Sequence, residues 1–373
     1  MTTKNILVTG GLGFIGSHIV DKLLQNGHSV TVLDNLEYQV HRGIFPRYWK
    51  DGEVEIIIGD VRNHELVENV LKDKEIIFHE AALVGVGQSM YQIKRYMDAN
   101  VMGTATLLDA VVNSKTNVKK MMVASSMSIY GEGAYVCESC GEISPELRGN
   151  EQLARKDFDM HCPHCGKITR PVHTTETKIV MPNSVYAVSK RDQEELFLST
   201  GRAYGIDAVA LRYFNVYGPR QSLNNPYTGV CAIFSSMIKN NNPPLVFEDG
   251  LQSRDFVDVQ DIADANIFVM NNNNAKGVYN IGTGQPVTIL QIANMLAKLY
   301  GKQLTPSVTN NFREGDIRHC FADISRIKQL GWQPKVIFED GIKQLVEWGE
   351  TQRATDMVEN AASELKKHGL IKG

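Results

Sequence analysis

Three side chains suited to taking a proton from an alcohol stand in the middle of the chain: Ser126, Tyr186 and Lys190. Tyr186-Ala-Val-Ser-Lys190 sets a phenol and an ammonium one helical turn apart on one face. Tyrosine ordinarily titrates near ~10 and is a poor base at neutral pH. A cation one turn away favours phenolate and should lower that value. Ser126 follows the apolar run Met121–Ala124, where its hydroxyl can bridge the phenol and a substrate oxygen. A second reactive group lies between them, Cys137-x-x-Cys140-Gly and Cys162-x-x-Cys165-Gly. Two such knuckles fit structural tetrahedral zinc held by Cys137, Cys140, Cys162 and Cys165. A redox dithiol would not need two pairs. His161, His164 and His173 are nearby, but four cysteines already complete the shell.

The elements that must position these groups are legible from periodicity. Ile6-Leu-Val8 reads as a buried strand, and Phe14 to Asn26 repeats apolar residues at helical spacing up to Gly27. Ser29–Leu33, Glu55–Ile58, Ile76–Phe78 and Met121–Ala124 are further short apolar runs with helical segments between them. This alternation predicts an α/β fold, a Rossmann-like doubly wound parallel sheet. Later strands near Ala208–Arg212 and Val278–Asn280 continue the sheet, and other late segments build a smaller C-terminal substrate lobe. Residues 132–180 break the pattern and form a zinc-ribbon-like insertion without sustained periodicity. The tail from Phe338 to Leu370 reads as helix, and Asn271–Asn274 as a polar surface turn. The expected division is 1–131 for the first core, 132–180 for the insertion and 181–373 for the Tyr186 helix, the remaining strands and the substrate lobe.

Between the first strand and helix, Gly10, Gly13 and Gly16 have Gly-x-x-Gly-x-x-Gly spacing. Small residues let backbone approach a pyrophosphate, and the helix N-terminus offers it N–H groups and a positive dipole end. Asp34 closes the second strand, where a carboxylate accepts from ribose hydroxyls and repels a 2′-phosphate, so NAD is favoured over its phosphorylated analogue. The cofactor-binding set therefore includes Gly10, Gly13, Phe14, Ile15, Gly16, Asp34 and Asn35. Asp60 and Val61, after the third strand, either contact adenine or, for Asp60, cap a helix. The nicotinamide charge would also favour the Tyr186 phenolate, and Lys190 would hold the nicotinamide ribose.

Bulk properties exclude several classes. A net charge of −3 gives no reason to expect nucleic acid or an anionic membrane as partner. No run of about 18 apolar residues is present, so no membrane helix is expected. The N-terminus runs straight into a strand, which reads as a cytoplasmic protein. Six cysteines in 373 residues, four of them in Cys-x-x-Cys pairs, favour metal over disulfides.

Taken together, these motifs resemble the extended short-chain dehydrogenase/reductases of the nucleotide-sugar epimerase/dehydratase group. His79-Glu-Ala-Ala82, Asn100-Val-Met-Gly-Thr104, Arg212–Arg220, Arg254–Asp261 and Arg313-Glu-Gly-Asp316 agree. The resemblance implies that Ala81 and Ala82 line the cofactor and that Phe214 packs near the nicotinamide. It implies that Asn215, Arg254 and Arg313 hold the substrate diphosphate, each guanidinium able to fork two oxygens. Asn100 belongs to the cofactor region, there and at Arg220 as a structural support rather than a direct ligand. Val84 departs from the lysine common in galactose-type epimerases. It also implies a homodimer through the helices carrying Asn100 and Tyr186.

The same resemblance divides the possible reactions. A 4,6-dehydratase usually has Asp-Glu after the catalytic Ser/Thr, whereas this chain has Met127 and Ser128, neither a suitable acid or base. Reversible oxidation at one carbon remains: a 4-epimerase that inverts C4 through a transient 4-keto sugar, with the nicotinamide doing the redox work. The Ser125–Gly133 run, the paired cysteines and Asn225-Pro-Tyr-Thr-Gly229 resemble dTDP-L-rhamnose 4-epimerase-type enzymes, which implies conversion to dTDP-6-deoxy-L-talose. A UDP-glucose or UDP-N-acetylglucosamine 4-epimerase is the alternative. A nonenzymatic NAD-binding scaffold is a further one, disfavoured because it would need neither the Ser/Tyr/Lys set nor the arginines.

Overall fold

Alternating apolar runs assemble into a parallel sheet buried on both faces. The computed structural model describes residues 3–372. Its strands begin with β1 (Asn5–Thr9), β2 (Ser29–Asp34), β3 (Glu55–Ile58), β4 (Ile76–His79) and β5 (Lys120–Ser126). Within an inserted segment come β6 (Ala134–Cys137), β7 (Gly141–Ile143) and β8 (Arg170–Val172), and after it β9 (Asp207–Tyr213). The seven-stranded sheet runs β3-β2-β1-β4-β5-β9 and ends on the strand Gly277–Ile281. Every pairing in it is parallel. Strand periodicity sends Ile6, Val8, Met122 and Ala124 to one face, against Ile19 and Leu23 of the helix Phe14–Gln25. Leu7, Ile77, Met121 and Val123 go to the other, against Val67, Leu107 and Phe197.

Strand order reverses between β1 and β4, so the crevice opens at their C-terminal ends. A second lobe closes over it. Its core joins Phe234, Ile238, Ile292, Leu296, Ile342 and Leu345 beneath strands Asn215–Tyr217, Ser253–Asp258 and Pro286–Thr288. The expected Rossmann-like sheet is present, with strand ends within two residues of the sequence reading.

Two expectations need correction. The tail is not one helix: Phe338–Glu350 and Val358–Lys367 are separate helices, followed by a strand Ile371–Lys372. The break carries Thr355 and Asp356, whose backbone and side chain bond elsewhere: Thr355 N donates to Asn224 Oδ1 and Asp356 accepts from Val358 N. The insertion is also more regular than its polar sequence suggested. β6 pairs antiparallel with both β7 and β8, and Tyr135, Cys137, Ile143, Met160 and Cys162 make a small core of its own. Strands of three or four residues leave too short a pattern to read. No helix among the described residues is long and apolar enough to cross a membrane.

Candidate active site

A cavity of about 820 Å³ runs from the glycine loop to the second lobe. At one end, Gly10 has φ 70°, and a Cβ there would stand 2.7 Å from the Ala81 backbone nitrogen. A Cβ on Gly16 would lie 2.3 Å from the Gly10 carbonyl. Any side chain at either position would therefore separate β1 from its helix or from the loop after β4. Gly13 caps the helix Phe14–Gln25 without a side-chain hydrogen bond, leaving its first N–H groups for an anion. This bare cradle fits a dinucleotide pyrophosphate.

Phe14, Ile15, Asp34, Asn35, Asp60, Val61, Ala81 and Ala82 line the same end. Asp34 is oriented by its own backbone contacts: Leu12 N donates to Oδ2 (3.0 Å) and Leu36 N to Oδ1 (2.9 Å). Asp60 does not cap the next helix, whose cap is Asn63, accepting from Leu66 N. It binds Arg62 instead, and the Arg62 guanidinium holds its carboxyl down at about 2. Asn35 Nδ2 donates to Asp60 Oδ2, which also accepts from Arg62 Nη2. Asn100 lies behind the cavity wall, fully buried, bonded to Leu83 N, Leu83 O and Ser189 Oγ. It ties the loop after β4 to the Tyr186 helix, a support role, and as a cofactor ligand it is out of place.

Ser126 ends β5, and the Tyr186 helix, Val185–Tyr204, starts beside it. Ser184 caps that helix by accepting from Ala187 N, and Tyr186 N donates to Ser89 Oγ at 3.0 Å. Ser128 donates to Ser126 Oγ through both its backbone and its hydroxyl. Burial pushes the Tyr186 phenol up to about 12, opposed by a hydrogen bond with Ser126. The lowering expected from Lys190 is absent, because that ammonium points to the Ala124 carbonyl, 2.9 Å away. Burial pulls Lys190 down, and Glu80 opposes this. Glu80 itself is pushed up by burial, opposed by Lys190 and by the Tyr213 hydroxyl, which donates to it at 3.0 Å.

Asn215, Arg254 and Arg313 line the far end with Phe214 nearby. Arg254 donates to the carbonyls of Ser253, Arg318 and Ile317, which fixes its plane and leaves two of five donors for an anion. Arg313 lies 4.7 Å over the Phe247 ring and bonds Asp316 through Nε. Asn215 Oδ1 is buried without a partner. Arg220 stays outside the cavity lining, paired with Asp21.

The model of the NAD dependent epimerase/dehydratase family matches residues 6–148 and 163–282. The chain belongs to that family. Along 349 residues it is 36% identical to the dTDP-L-rhamnose 4-epimerase of Burkholderia thailandensis, covering 92% of this chain and 94% of that protein. The solved UDP-N-acetylglucosamine 4-epimerase from Methanobrevibacter ruminantium, in complex with UDP-N-acetylmuramic acid, superposes with TM-score 0.76 at 34% identity, over 95% of this chain and all of that one. The UDP-glucose 4-epimerase of Thermus thermophilus, in complex with NAD, gives 0.73 at 30%, over 94% and 100%. The protein is thus an enzyme of the NAD-dependent nucleotide-sugar epimerase group, as its motifs implied.

Within this epimerase family site, several lining groups escaped the sequence reading. Glu80 sits inside the His79-Glu-Ala-Ala82 motif, yet only the sheet shows it beside Ala124, one step beyond the His79↔Val123 pair. Gln221 and Gln252 line the cavity with buried side-chain oxygens that have no partner. Val358, Ala361, Ala362 and Leu365 come from the tail. No local spacing marks any of these. The unmatched stretch 149–162 falls in the insertion, where the four cysteine sulfurs lie within 4.8 Å of one another. Cys137 and Cys165 are 3.5 Å apart. Against burial, N–H groups of His164 and Cys165 lower the Cys162 thiol.

Proposed function

We propose that the enzyme is a nucleotide-sugar 4-epimerase whose substrate is dTDP-L-rhamnose, interconverted with dTDP-6-deoxy-L-talose. The observation that carries the activity is the meeting of Ser126, Tyr186 and Lys190 in one cavity with Arg254 and Arg313 at its far end. The near full-length match to the Burkholderia enzyme supports the choice of sugar. When bound, NAD supplies reversible hydride exchange and a positive ring charge. Gly10, Gly13, Gly16, Asp34 and Lys190 would hold it, with Phe14, Ile15, Asn35, Asp60, Val61, Ala81, Ala82 and Phe214 around it. Ser126 would orient the C4 hydroxyl, and Tyr186 would take its proton and later return it. Arg254, Arg313 and Asn215 would anchor the diphosphate while the 4-keto sugar turns over to present its other face.

Four thiolates this close fit a tetrahedral zinc, in which sulfurs about 2.3 Å from the metal lie just under 4 Å apart. On this reading Cys137, Cys140, Cys162 and Cys165 hold a structural zinc that closes the insertion. Exposed Met102 and Val188, near Asn100 and Tyr186, support pairing of two subunits through those helices.

The deciding experiment incubates purified protein with dTDP-, UDP- and GDP-sugars without added NAD and resolves products by NMR. Formation of dTDP-6-deoxy-L-talose supports the full reading. Turnover of UDP-hexoses alone removes the sugar assignment and keeps the mechanism. Metal analysis should return about one zinc per chain.

A further inference from the structure

The C-terminal helix Val358–Lys367 is amphipathic in one specific direction. Val358, Ala361, Ala362 and Leu365 follow helical spacing and all four line the cavity. Glu359, Ser363, Glu364, Lys366 and Lys367 face outward. The helix is fastened to both walls. At one wall Leu365 packs on Gly87, where a Cβ would meet its Cδ2 at 3.0 Å. His368 stacks on Tyr91 (centroids 4.5 Å, planes 6° apart), and the Tyr91 hydroxyl bonds that of Tyr227 at 2.8 Å. At the other wall Ile371 pairs with Arg313, and Lys372 Nζ reaches Glu314 at 2.7 Å.

Gly87 is two residues from Ser89, whose hydroxyl receives the Tyr186 N–H. Leu365 thus packs on the same short turn that contacts the first residues of the Tyr186 helix. The ring neighbours of the reacting C4 carry a hydroxyl on C3 and the C6 group on C5. Every hexose has the former, and it needs a polar partner that this helix face does not offer. The cations lining the cavity are also committed. Arg62 pairs with Asp60 and Arg95 with Glu37, both at 2.7 Å, and Lys190 donates to Ala124. Among the described residues, Arg254 and Arg313 lie at the far end, where Arg254 is bonded to backbone carbonyls and Arg313 to Asp316 through Nε alone.

We infer that the C-terminal helix is the selectivity wall of this site: Leu365, with Ala361 and Ala362, receives the methyl group on C5 of a 6-deoxy sugar and rejects a hydroxymethyl or carboxylate group there. The inference rests on the epimerase reading above. A hydroxyl against this face would lose water without gaining a partner, and a carboxylate would also lack a counter-charge.

The test uses NAD-loaded protein and sets of dTDP- and UDP-sugars that share one sugar configuration and differ only at C6. Dissociation constants come from calorimetry and turnover from NMR. The wild type should bind the methyl sugar at least about tenfold more tightly than the hydroxymethyl one. Leu365→Gln should bring the two within about threefold, and Leu365→Arg should raise affinity for the carboxylate sugar about tenfold or more. Leu365→Met and the outward Lys366→Ala should leave the ratios unchanged. Circular dichroism and NAD content check folding, and Ala362→Ser replaces any Leu365 variant that does not fold. Equal binding of the three sugars by wild type, or a ratio indifferent to Leu365→Gln, overturns the inference. A methyl preference confined to UDP-sugars removes the dTDP-L-rhamnose assignment and leaves the wall standing. No binding of any nucleotide sugar removes both.

Discussion

Arg148, from the cysteine-bearing insertion, and Glu248, from the second lobe, meet in two hydrogen bonds of 2.9 Å each, with side chains 1% and 2% exposed. Arg318 joins the same carboxylate at 3.1 Å and Asp249 at 2.6 Å. Glu248 adopts φ 52°, a left-handed conformation that costs a residue with a side chain about 1 kcal/mol or more. The double guanidinium grip offsets that cost. Glu248 also lines the cavity, so the insertion reaches the second lobe through this pair. Arg148→Met leaves a buried carboxylate short of its partner. The expected loss is about 3–5 kcal/mol in denaturant unfolding, with KM raised more than kcat is lowered. A variant of wild-type stability and KM would show the pair to be inert.

On the proposed mechanism, Tyr186→Phe removes the proton acceptor and leaves the glycine cradle intact. Turnover should fall by about 10²–10⁴-fold, while NAD released on denaturation, measured by absorbance, stays near the wild-type ratio. Ser126→Ala should do less harm, because Ser128 donates to Ser126 and remains close by. Undiminished epimerisation by Tyr186→Phe would remove the phenol from the mechanism.

Glu80 is the negative group facing Lys190 in the cavity. The other titratable neighbours are Tyr186, the Tyr213 hydroxyl that bonds Glu80, and His79, buried as a neutral imidazole and pulled down to about 3. Burial lowers Lys190 and Glu80 opposes this. Glu80→Gln removes the opposition, so the ammonium is lost at lower pH. The alkaline limb of the kcat profile should move down by about one pH unit, with NAD content unchanged. An unmoved limb would mean that Lys190 does not depend on Glu80.

His18 is likewise buried, and burial pulls it down to about 4, against a hydrogen bond with the Pro219 carbonyl. In the unfolded chain it titrates near 6.5. Below that pH the unfolded state takes up a proton that the native state refuses, so the His18 contribution shrinks as pH falls towards 4. Carboxyls raised by burial, such as Asp258 at about 6, act in the opposite sense, so the effect is read as a difference between variants. The stability advantage of wild type over His18→Gln should decline by about 1.4 kcal/mol per pH unit below about pH 6. A constant difference from pH 7.5 to 5 would rule this out.

The sheet was readable because each strand buries both faces and shows an apolar run, and the family because its signature residues sit in local motifs. Gly10, Gly13 and Gly16 need only neighbours in sequence, and Tyr186 and Lys190 one helical turn. Glu80 was hidden because its meaning depends on which strand lies beside β4. Gln221, Gln252 and Leu365 were hidden because loops and a tail helix carry them to the cavity from distant parts of the chain. The shift of Tyr186 was misjudged for a related reason: spacing placed Lys190 one turn away but could not say that its ammonium points to Ala124. The insertion was recognisable by its cysteines and by its break in the strand–helix pattern, but its own strands are too short to carry a period.

The insertion leaves the sheet at Gly131 and returns at Met181, and the two meet: a Cβ on Gly131 would lie 2.4 Å from the Met181 carbonyl. Just above, Ala134 pairs with Val172. The chain therefore departs and comes back through one neck, and the distance from Ser126 to Tyr186 is set by that neck rather than by the length of the excursion. Loop-closure entropy grows slowly, about 0.6 kcal/mol per doubling of length. The excursion can accordingly lengthen, shorten or be exchanged over evolutionary time at little cost to the spacing of Ser126 and Tyr186, provided a partner for Glu248 survives.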